Sequence, residues 1–275
     1  MHHPLRLGGG GNILTLSDLT VAPLNGTWWG IFALILAVLF LLWFFRGRGR
    51  KSANSNRRFL GLLALATLLY LWGYKTLLSL QPDFDFHFWN ELPLQPCNVL
   101  AALAVLAAVT DWQILKTFCL CAGIPFSAVA LLMPVDGFEQ VPLLSVNAVG
   151  FYGFHGLVLV LAVSFGTLRV CRPRWRDVPG AAGLLVGLGA AAHGVNLLMR
   201  ATVYPQANYF YTFGLDGNAV LEGLWTLLPV PLVYELPLLL VLLAVCVTAI
   251  PLSRLGPGGR ESSHSGSAFS YQSRK

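Results

Sequence analysis

Long runs of hydrophobic residues, separated by shorter polar connections, are the dominant pattern along the chain. Each run is long enough to cross about 30 Å of hydrocarbon as an α-helix. The runs occupy residues 28–45, 59–80, 92–110, 113–132, 143–168, 181–200 and 231–250. This pattern predicts an all-α fold, a polytopic membrane protein with seven transmembrane helices.

Composition and charge support a membrane location. The chain is 56% hydrophobic and 11% charged, whereas a soluble domain is about 25% charged. Lysine and arginine exceed the acidic residues, but six of the 18 basic side chains fall in the first connection: Arg46, Arg48, Arg50, Lys51, Arg57 and Arg58. Such clustering is typical of a topology signal. We therefore expect an integral, multi-pass membrane protein with no nucleic-acid partner.

The sign of the charge in each connection predicts the orientation of the chain. The connection after the fifth run is also basic, whereas those after the second and fourth runs carry only acidic charges, at Asp83, Asp85, Asp136 and Glu139. The positive-inside rule then places the N-terminus outside or in a lumen and the C-terminus in the cytoplasm. We accordingly expect an extracytoplasmic segment (1–27), a seven-helix domain (28–250) and a disordered cytoplasmic tail (251–275).

The connection after the sixth run, residues 201–230, is long and aromatic. Its aromatic side chains are Tyr204, Tyr209, Phe210, Tyr211, Phe213 and Trp225. Loops of this length are more often functional than idle. We expect the loop to pack over the outer end of the bundle as a lid, and the alternative is an aromatic belt that anchors it at the membrane interface.

The stretch Glu91–Asn98 places polar side chains at the entry of an apolar run. Pro96 suits the first position of a helix, because that position needs no N–H donor. Cys97 would then lie in the first turn, where unpaired N–H groups and the helix dipole favour a thiolate. Cys97 is therefore a candidate nucleophile, and the alternative is an inert buried cysteine beside a proline-distorted helix entry.

Polar side chains within the runs collect in the predicted outer half of the membrane. An ionisable group at the bilayer centre costs about 2.5–3.5 kcal/mol and is tolerated where it meets a partner or a cavity. We expect one shared polar cavity, open to the outside and formed by Lys75, Glu91, Gln95, Cys97, Asn98, His155, His193, Asn196 and Glu235. Taken singly, Lys75 could snorkel, His193 and Asn196 could hydrogen-bond between helices, and His155 could be a satisfied core histidine.

The chemistry open to these residue types is limited. No metal-ligand spacing, phosphate loop or dinucleotide fingerprint is present, so we expect neither a metal nor a cofactor. A cysteine nucleophile with a histidine base is the arrangement best supported, and the location favours acyl transfer with membrane lipids as partners. Gln95, Asn98 or the N–H groups at the helix start could stabilise an oxyanion. The alternatives are a lipid hydrolase with the same pair and a non-catalytic protein that binds a lipid or small ligand.

Short motifs in the chain resemble those of a known family. The run Leu92-Pro-Leu-Gln-Pro-Cys97 resembles the cysteine motif of the YwaF and transmembrane protein 164 family of seven-span proteins. Further similar pieces follow in order: Trp72-Gly-Tyr-Lys75, Phe151-Tyr-Gly-Phe-His155, Ala192-His-Gly-Val-Asn196 and Ala207-Asn-Tyr209. The resemblance covers roughly residues 60–245.

This resemblance implies an activity and roles for two residues. The eukaryotic branch of the family is regarded as an acyltransferase that builds ether phospholipids with polyunsaturated acyl chains. Carried over, its nucleophile would be Cys97 and its histidine partner His155, with Lys75, Asn98 and His193 orienting groups or stabilising charge. Two positions depart from the pattern, because bacterial relatives tend to have histidine in place of Gln95 and eukaryotic ones in place of Asn98. His155 or His193 would then have to act as the base.

Overall fold

The computed structural model describes most of the chain. The described residues are 19–47, 52–82, 84, 86–134, 137–138, 140–214, 217 and 219–254. Most of the predicted N-terminal segment and most of the predicted tail lie outside them. So do five of the acidic residues in the connections: Asp83, Asp85, Asp136, Glu139 and Asp216.

Eight α-helices account for most of the described chain. They are α1 (Gly26–Leu42), α2 (Ala53–Ser79), α3 (Pro96–Thr110), α4 (Gln113–Leu132), α5 (Val146–Thr167), α6 (Val178–Thr202), α7 (Ala219–Leu227) and α8 (Leu238–Arg254). Shorter turns include a π-helical turn at Trp43–Gly47 and 3-10 turns at Trp175–Asp177, Tyr209–Tyr211 and Val233–Glu235. Two short strands, β1 (Thr20–Val21) and β2 (Val141–Pro142), pair antiparallel beside α1 and α5.

Six helices in the described chain are long and apolar enough to cross a membrane. They are Gly26–Arg46, Ala53–Ser79, Gln113–Leu132, Val146–Thr167, Trp175–Thr202 and Val233–Leu252. The prediction of a polytopic all-α protein is confirmed at this level. The third predicted run is helical only from Pro96, and its 15 residues rise by about 22 Å, which is less than a full crossing. Residues 92–95 enter the bundle without helical structure.

The starts of several helices follow from side-chain caps. The side chain of Asn25 accepts a hydrogen bond from the N–H of Trp28 at the start of α1. Ser52 caps α2 through the N–H of Ser55, and Ser145 caps α5 through the N–H of Ala148. Such caps satisfy N–H groups that the first turn of a helix leaves unpaired.

Helices α4 and α5 form the centre of the bundle, and α2 packs closely against α5. A Cβ atom at Gly150 would lie 2.4 Å from the ring of Tyr74, and one at Gly153 would lie 2.3 Å from the hydroxyl of Tyr70. Small residues at such contacts let helices approach closely in membranes. The Tyr70 hydroxyl also donates a 2.7 Å hydrogen bond to the carbonyl of Val149. This contact fixes α2, and therefore the ring of Tyr74, against α5.

Ion pairs close the end of the bundle at which α3 meets α4. Asp111 forms a salt bridge with Lys116, and the guanidinium of Arg57 lies 3.5 Å from the same carboxylate. The Lys116 side chain is only 7% exposed, and its ammonium also donates to the carbonyl of Val170 at 3.3 Å. The hydrogen bond from Lys116 lowers the pKa of Asp111. These contacts tie α2, α3, α4 and the connection after α5 together.

Candidate functional site

A cavity of about 550 Å³ lies at the end of the bundle where α3 begins. Its volume is within the range of about 300–1,000 Å³ that is usual for small-molecule sites. Its polar lining includes Lys75, Asn90, Glu91, Gln95, Cys97, Asn98, His155 and Glu235. Helices α4, α6 and α8 contribute apolar walls, for example through Phe126, Leu185 and Leu242. All but two of the predicted site residues, His193 and Asn196, therefore line one cavity.

Cys97 lies at the start of α3 because Pro96 occupies the first helical position, with Gln95 as the N-cap. Its side chain faces the cavity, although the residue is only 8% exposed. Within the described chain, the N–H of Cys97 meets no hydrogen-bond acceptor, whereas the N–H of Asn98 bonds to the carbonyl of Gln95 at 3.0 Å. The sulfur of Cys97 therefore sits beside a free backbone donor.

His155 reaches the cavity from α5. Its Nδ1 lies 2.8 Å from the carbonyl oxygen of Phe151, one turn earlier. A carbonyl only accepts hydrogen bonds, so Nδ1 carries the proton and Nε2 of the neutral ring keeps its lone pair. The rings of Phe151 and Phe154 pack on the imidazole, with centroids 4.4 and 5.3 Å away. In the part of the chain that the structure describes, no hydrogen bond joins His155 to Cys97.

An ion pair holds the segment before α3 against α2. The ammonium of Lys75 lies 2.7 Å from Oε2 of Glu91, and the side chains are 15% and 16% exposed. The amide of Asn90 donates to the other carboxylate oxygen at 3.2 Å. Lys75 is therefore a paired cavity residue and does not snorkel. Loss of either partner would leave the other charge unpaired in a largely buried position.

Two amide side chains beside Cys97 have different environments. Oε1 of Gln95 accepts the backbone N–H of Phe210 at 3.1 Å, which connects the start of α3 to the aromatic loop. Asn98 is 8% exposed and lines the cavity, and its amide has no hydrogen-bond partner among the described residues. Because buried amides are normally hydrogen-bonded, Asn98 is the side chain best placed to bond to a ligand near Cys97.

Glu235 is the second polar group of the cavity that lacks a partner. It ends the 3-10 turn that precedes α8, and this turn follows Leu232, whose φ of 62° is left-handed. The Oε1 atom of Glu235 is buried and has no hydrogen bond to any described residue. A buried acceptor without a donor carries a desolvation cost, which a ligand with a donor group would relieve.

His193 and Asn196 do not line the cavity, contrary to our expectation. Nδ1 of His193 lies 3.0 Å from the hydroxyl of Thr212. The amide nitrogen of Asn196 donates to the carbonyl of Tyr209 and to the hydroxyl of Thr212, and its oxygen accepts the N–H of Tyr209. Asn196 is fully buried. These two residues therefore hold the aromatic loop against α6 through hydrogen bonds.

The aromatic loop covers the cavity. Phe210 and Tyr211 line it, as does Leu221 of α7. The hydroxyl of Tyr209 donates to the carbonyl of Trp89 at 2.5 Å, and the hydroxyl of Tyr234 donates to the carbonyl of Tyr211. The loop is therefore fastened both to the segment before α3 and to the turn before α8.

Two features of this cover differ from the sequence-based prediction. Phe210 and Tyr211 adopt left-handed φ values of 57° and 61°, which no local pattern predicts for aromatic residues. Helix α7 lies within the predicted loop. Its signal is the helical spacing of Leu221, Leu224 and Leu227, which was available from the sequence.

The helices and the cavity between them together define a polytopic α-helical membrane protein with polar side chains along an internal cavity. The family model described as "TMEM164 family" matches residues 23–252, so the chain belongs to the TMEM164 family. The resemblance found in the short motifs is thus confirmed, as is an integral, multi-pass membrane location. Comparisons with the curated proteins and with the solved structures gave no significant match.

Proposed function

We propose that this protein transfers an acyl chain between membrane lipids, with Cys97 as the nucleophile and His155 as the base. The observation that carries the proposal is that both side chains line one largely apolar cavity. Such a cavity suits an acyl chain, and a cysteine with a histidine is a common pair for acyl transfer. The family resemblance assigns the same roles to the same two residues.

The first half of the reaction forms an acyl-enzyme. Nε2 of His155 accepts the proton of the Cys97 thiol, and the sulfur attacks the ester carbonyl of the donor lipid. The N–H of Cys97 and the amide of Asn98 donate hydrogen bonds to the oxyanion. Collapse of this intermediate breaks the ester C–O bond, and the leaving alkoxide takes the proton from the His155 imidazolium. The products are a Cys97 thioester and a lysolipid.

The second half regenerates the enzyme. The hydroxyl of an acceptor lysolipid loses its proton to His155 and attacks the thioester carbonyl. The C–S bond breaks, and the thiolate recovers the proton from His155. Because the aromatic loop is fastened over the cavity by Tyr209 and Tyr234, it limits the entry of water. This cover favours transfer to a lipid over hydrolysis.

The proposed topology has seven crossings, with the cavity on the extracytoplasmic side. In this arrangement the short helix α3 is the crossing that is added to the six candidate membrane spans. The non-helical residues 92–95 complete its path from the outer surface. The basic connection between α1 and α2 lies at the opposite end of α2 from Lys75. The charge pattern of the connections therefore supports a lumenal or external cavity.

The test is acyl transfer by the purified full chain in lipid nanodiscs. The substrates are a phospholipid with an isotope-labelled acyl chain and an unlabelled lysophospholipid. We expect labelled product and a labelled thioester on Cys97, and we expect both to be lost in Cys97→Ala and the product to be lost in His155→Gln. Cys171→Ala is the matched control, because Cys171 lies in the connection after α5 and does not line the cavity.

The same assay separates the alternatives. Release of free fatty acid without labelled product would identify a hydrolase. Absence of both the thioester and the product from the wild type, together with retention of co-purified lipid, would identify a non-catalytic lipid-binding protein and overturn the proposal.

A further inference from the structure

A second pocket lies at the corner where the end of α1 meets the start of α2. Its volume is about 370 Å³. Two arginines, Arg46 and Arg58, line it together with two serines, one asparagine and the apolar side chains of Phe59 and Leu62. None of these lining residues is acidic. The pocket is far along α2 from Lys75 and shares no lining residue with the cavity described above.

Arg46 is held in place by its neighbours, but one of its N–H donors has no acceptor among the described residues. Its Nη2 donates to the hydroxyl of Ser55 at 3.3 Å, and its guanidinium lies 4.1 Å from the ring centroid of Phe59. Its Nε is buried and has no hydrogen bond to any described residue. A buried donor without an acceptor is costly. Because Arg46 lines the pocket and its guanidinium makes a single hydrogen bond to the described residues, an oxygen-rich anion in the pocket would supply it with further acceptors. Arg46 also lies on the π-helical turn, a distortion that is frequent at functional sites.

The start of α2 adds to the positive character of the pocket. The hydroxyl of Ser52 caps this helix by accepting the N–H of Ser55 at 3.2 Å. In the described chain, the N–H groups of Ala53 and Asn54 have no acceptor. The N-terminus of a helix attracts anions through such groups and through the dipole. Arg46, Arg58 and the helix start thus converge on one pocket, which suits a group with several charged oxygens.

The surroundings indicate which molecule carries this group. The candidate membrane span Gly26–Arg46 comprises α1 and most of the π-helical turn, and its last aromatic residues, Phe44 and Phe45, are 43% and 65% exposed. Leu62, on the pocket wall, is 67% exposed. Apolar surface that would contact acyl chains therefore adjoins the arginines directly. We propose that this corner is a binding site for the phosphate group of an anionic phospholipid.

Native mass spectrometry of the full chain in detergent tests this proposal. The probes are dioleoyl phosphatidic acid and dioleoyl phosphatidylcholine at equal concentration. We expect the wild type to retain phosphatidic acid preferentially, and Arg58→Gln or Arg46→Gln to weaken its apparent affinity by about tenfold, as is typical when one charge-assisted hydrogen bond is lost. Arg57→Gln is the matched control, because Arg57 is adjacent in sequence but faces Asp111 and does not line the pocket.

The outcomes that overturn the proposal are distinct. Equal retention of the two lipids by the wild type would show that the site does not select an anionic headgroup. An equal loss of affinity in Arg57→Gln would show that only net charge matters. Displacement of phosphatidic acid by an equimolar concentration of glycerol 3-phosphate would show that the site takes a soluble phosphate and would overturn its assignment to a lipid. Arg58 is exposed, so Arg58→Gln tests the site even where Arg46→Gln alters the turn.

Discussion

Two lysine–carboxylate pairs at opposite ends of the bundle illustrate two uses of buried charge. Lys75 and Glu91 are both largely buried, yet both line the cavity. The Lys116 side chain is more deeply buried, but its partner Asp111 is 56% exposed, and a backbone carbonyl also accepts a hydrogen bond from the Lys116 ammonium. The second pair lies where α3 meets α4 and lines neither of the two cavities described above. The first pair faces space that a ligand could occupy, so its charges are available to a substrate.

The same contrast separates two asparagines. Asn196 is fully buried and makes three hydrogen bonds to the aromatic loop. Asn98 lines the cavity, and its side chain has no partner in the described chain. A buried amide with all its partners stabilises the fold. A buried amide that faces a cavity without a partner is suited to bind a group that arrives later.

The largest expected effect comes from removal of the unpartnered amide. Asn98→Ala should lower kcat/KM for acyl transfer by about 10²-fold, because loss of one oxyanion donor has this magnitude. Its melting temperature should stay near that of the wild type, since no hydrogen bond within the fold is lost. Asn196→Ala should do the opposite and destabilise the fold. Transfer by Asn98→Ala at the wild-type rate would remove Asn98 from the oxyanion site.

Substitutions in the cavity pair, Lys75 and Glu91, should affect stability and activity differently. Glu91→Gln leaves Lys75 without a counter-charge and should cost about 2–3 kcal/mol, slightly below the usual range for a broken buried pair because both side chains are partly exposed. Adding Lys75→Met should restore thermal stability in detergent but not acyl transfer. Recovery of both properties in the double variant would show that this pair is only structural.

Loss of the pair between Lys116 and Asp111 should affect stability but not activity. Its effect on stability should be smaller than that of losing the pair between Lys75 and Glu91. Asp111→Asn retains a side chain compatible with the left-handed φ of 60° at this position. It should lower the unfolding free energy by about 1 kcal/mol, because the carboxylate is exposed and Arg57 and solvent share the loss. Acyl transfer per folded molecule should be unchanged. A loss of transfer without a loss of stability would contradict the distinction between the two pairs.

The smallest expected effect is on acid stability. Since the bond from Lys116 lowers the pKa of Asp111 in the folded state, the folded protein binds this proton less readily than the unfolded chain does. The pair therefore contributes stability above the unfolded pKa of about 3.9. This contribution is lost as the pH falls through the lower, folded pKa. Thermal unfolding in detergent from pH 6 to pH 3 should show a steeper loss for the wild type than for Asp111→Asn.

The sequence predicted how deep each polar residue lies along its helix. It did not predict towards which neighbouring element the side chain points. Counting residues from the ends of the runs put Lys75, Cys97, His155 and Glu235 at one end, and all four line the cavity. The same count included His193, which instead faces Thr212. A uniformly apolar helix gives little information about which side faces its neighbours. The rotation of α6 therefore became clear only from its packing.

The helix boundaries show a similar division. Hydrophobic runs located the helices because their length is set by the membrane. The late start of α3 follows from Pro93 and Pro96, which have no N–H to donate. The contact between Gln95 and the N–H of Phe210 joins residues 115 positions apart, and no short-range pattern encodes such a pairing.

That contact has a mechanical consequence. Gln95 is both the residue that precedes the first turn of α3 and the acceptor that fastens the aromatic loop. A lipid that lifts the loop must break this bond and so release the residue two positions before Cys97. Opening of the cavity entrance and release of the first turn of α3, which carries Cys97, therefore both depend on the amide side chain of Gln95.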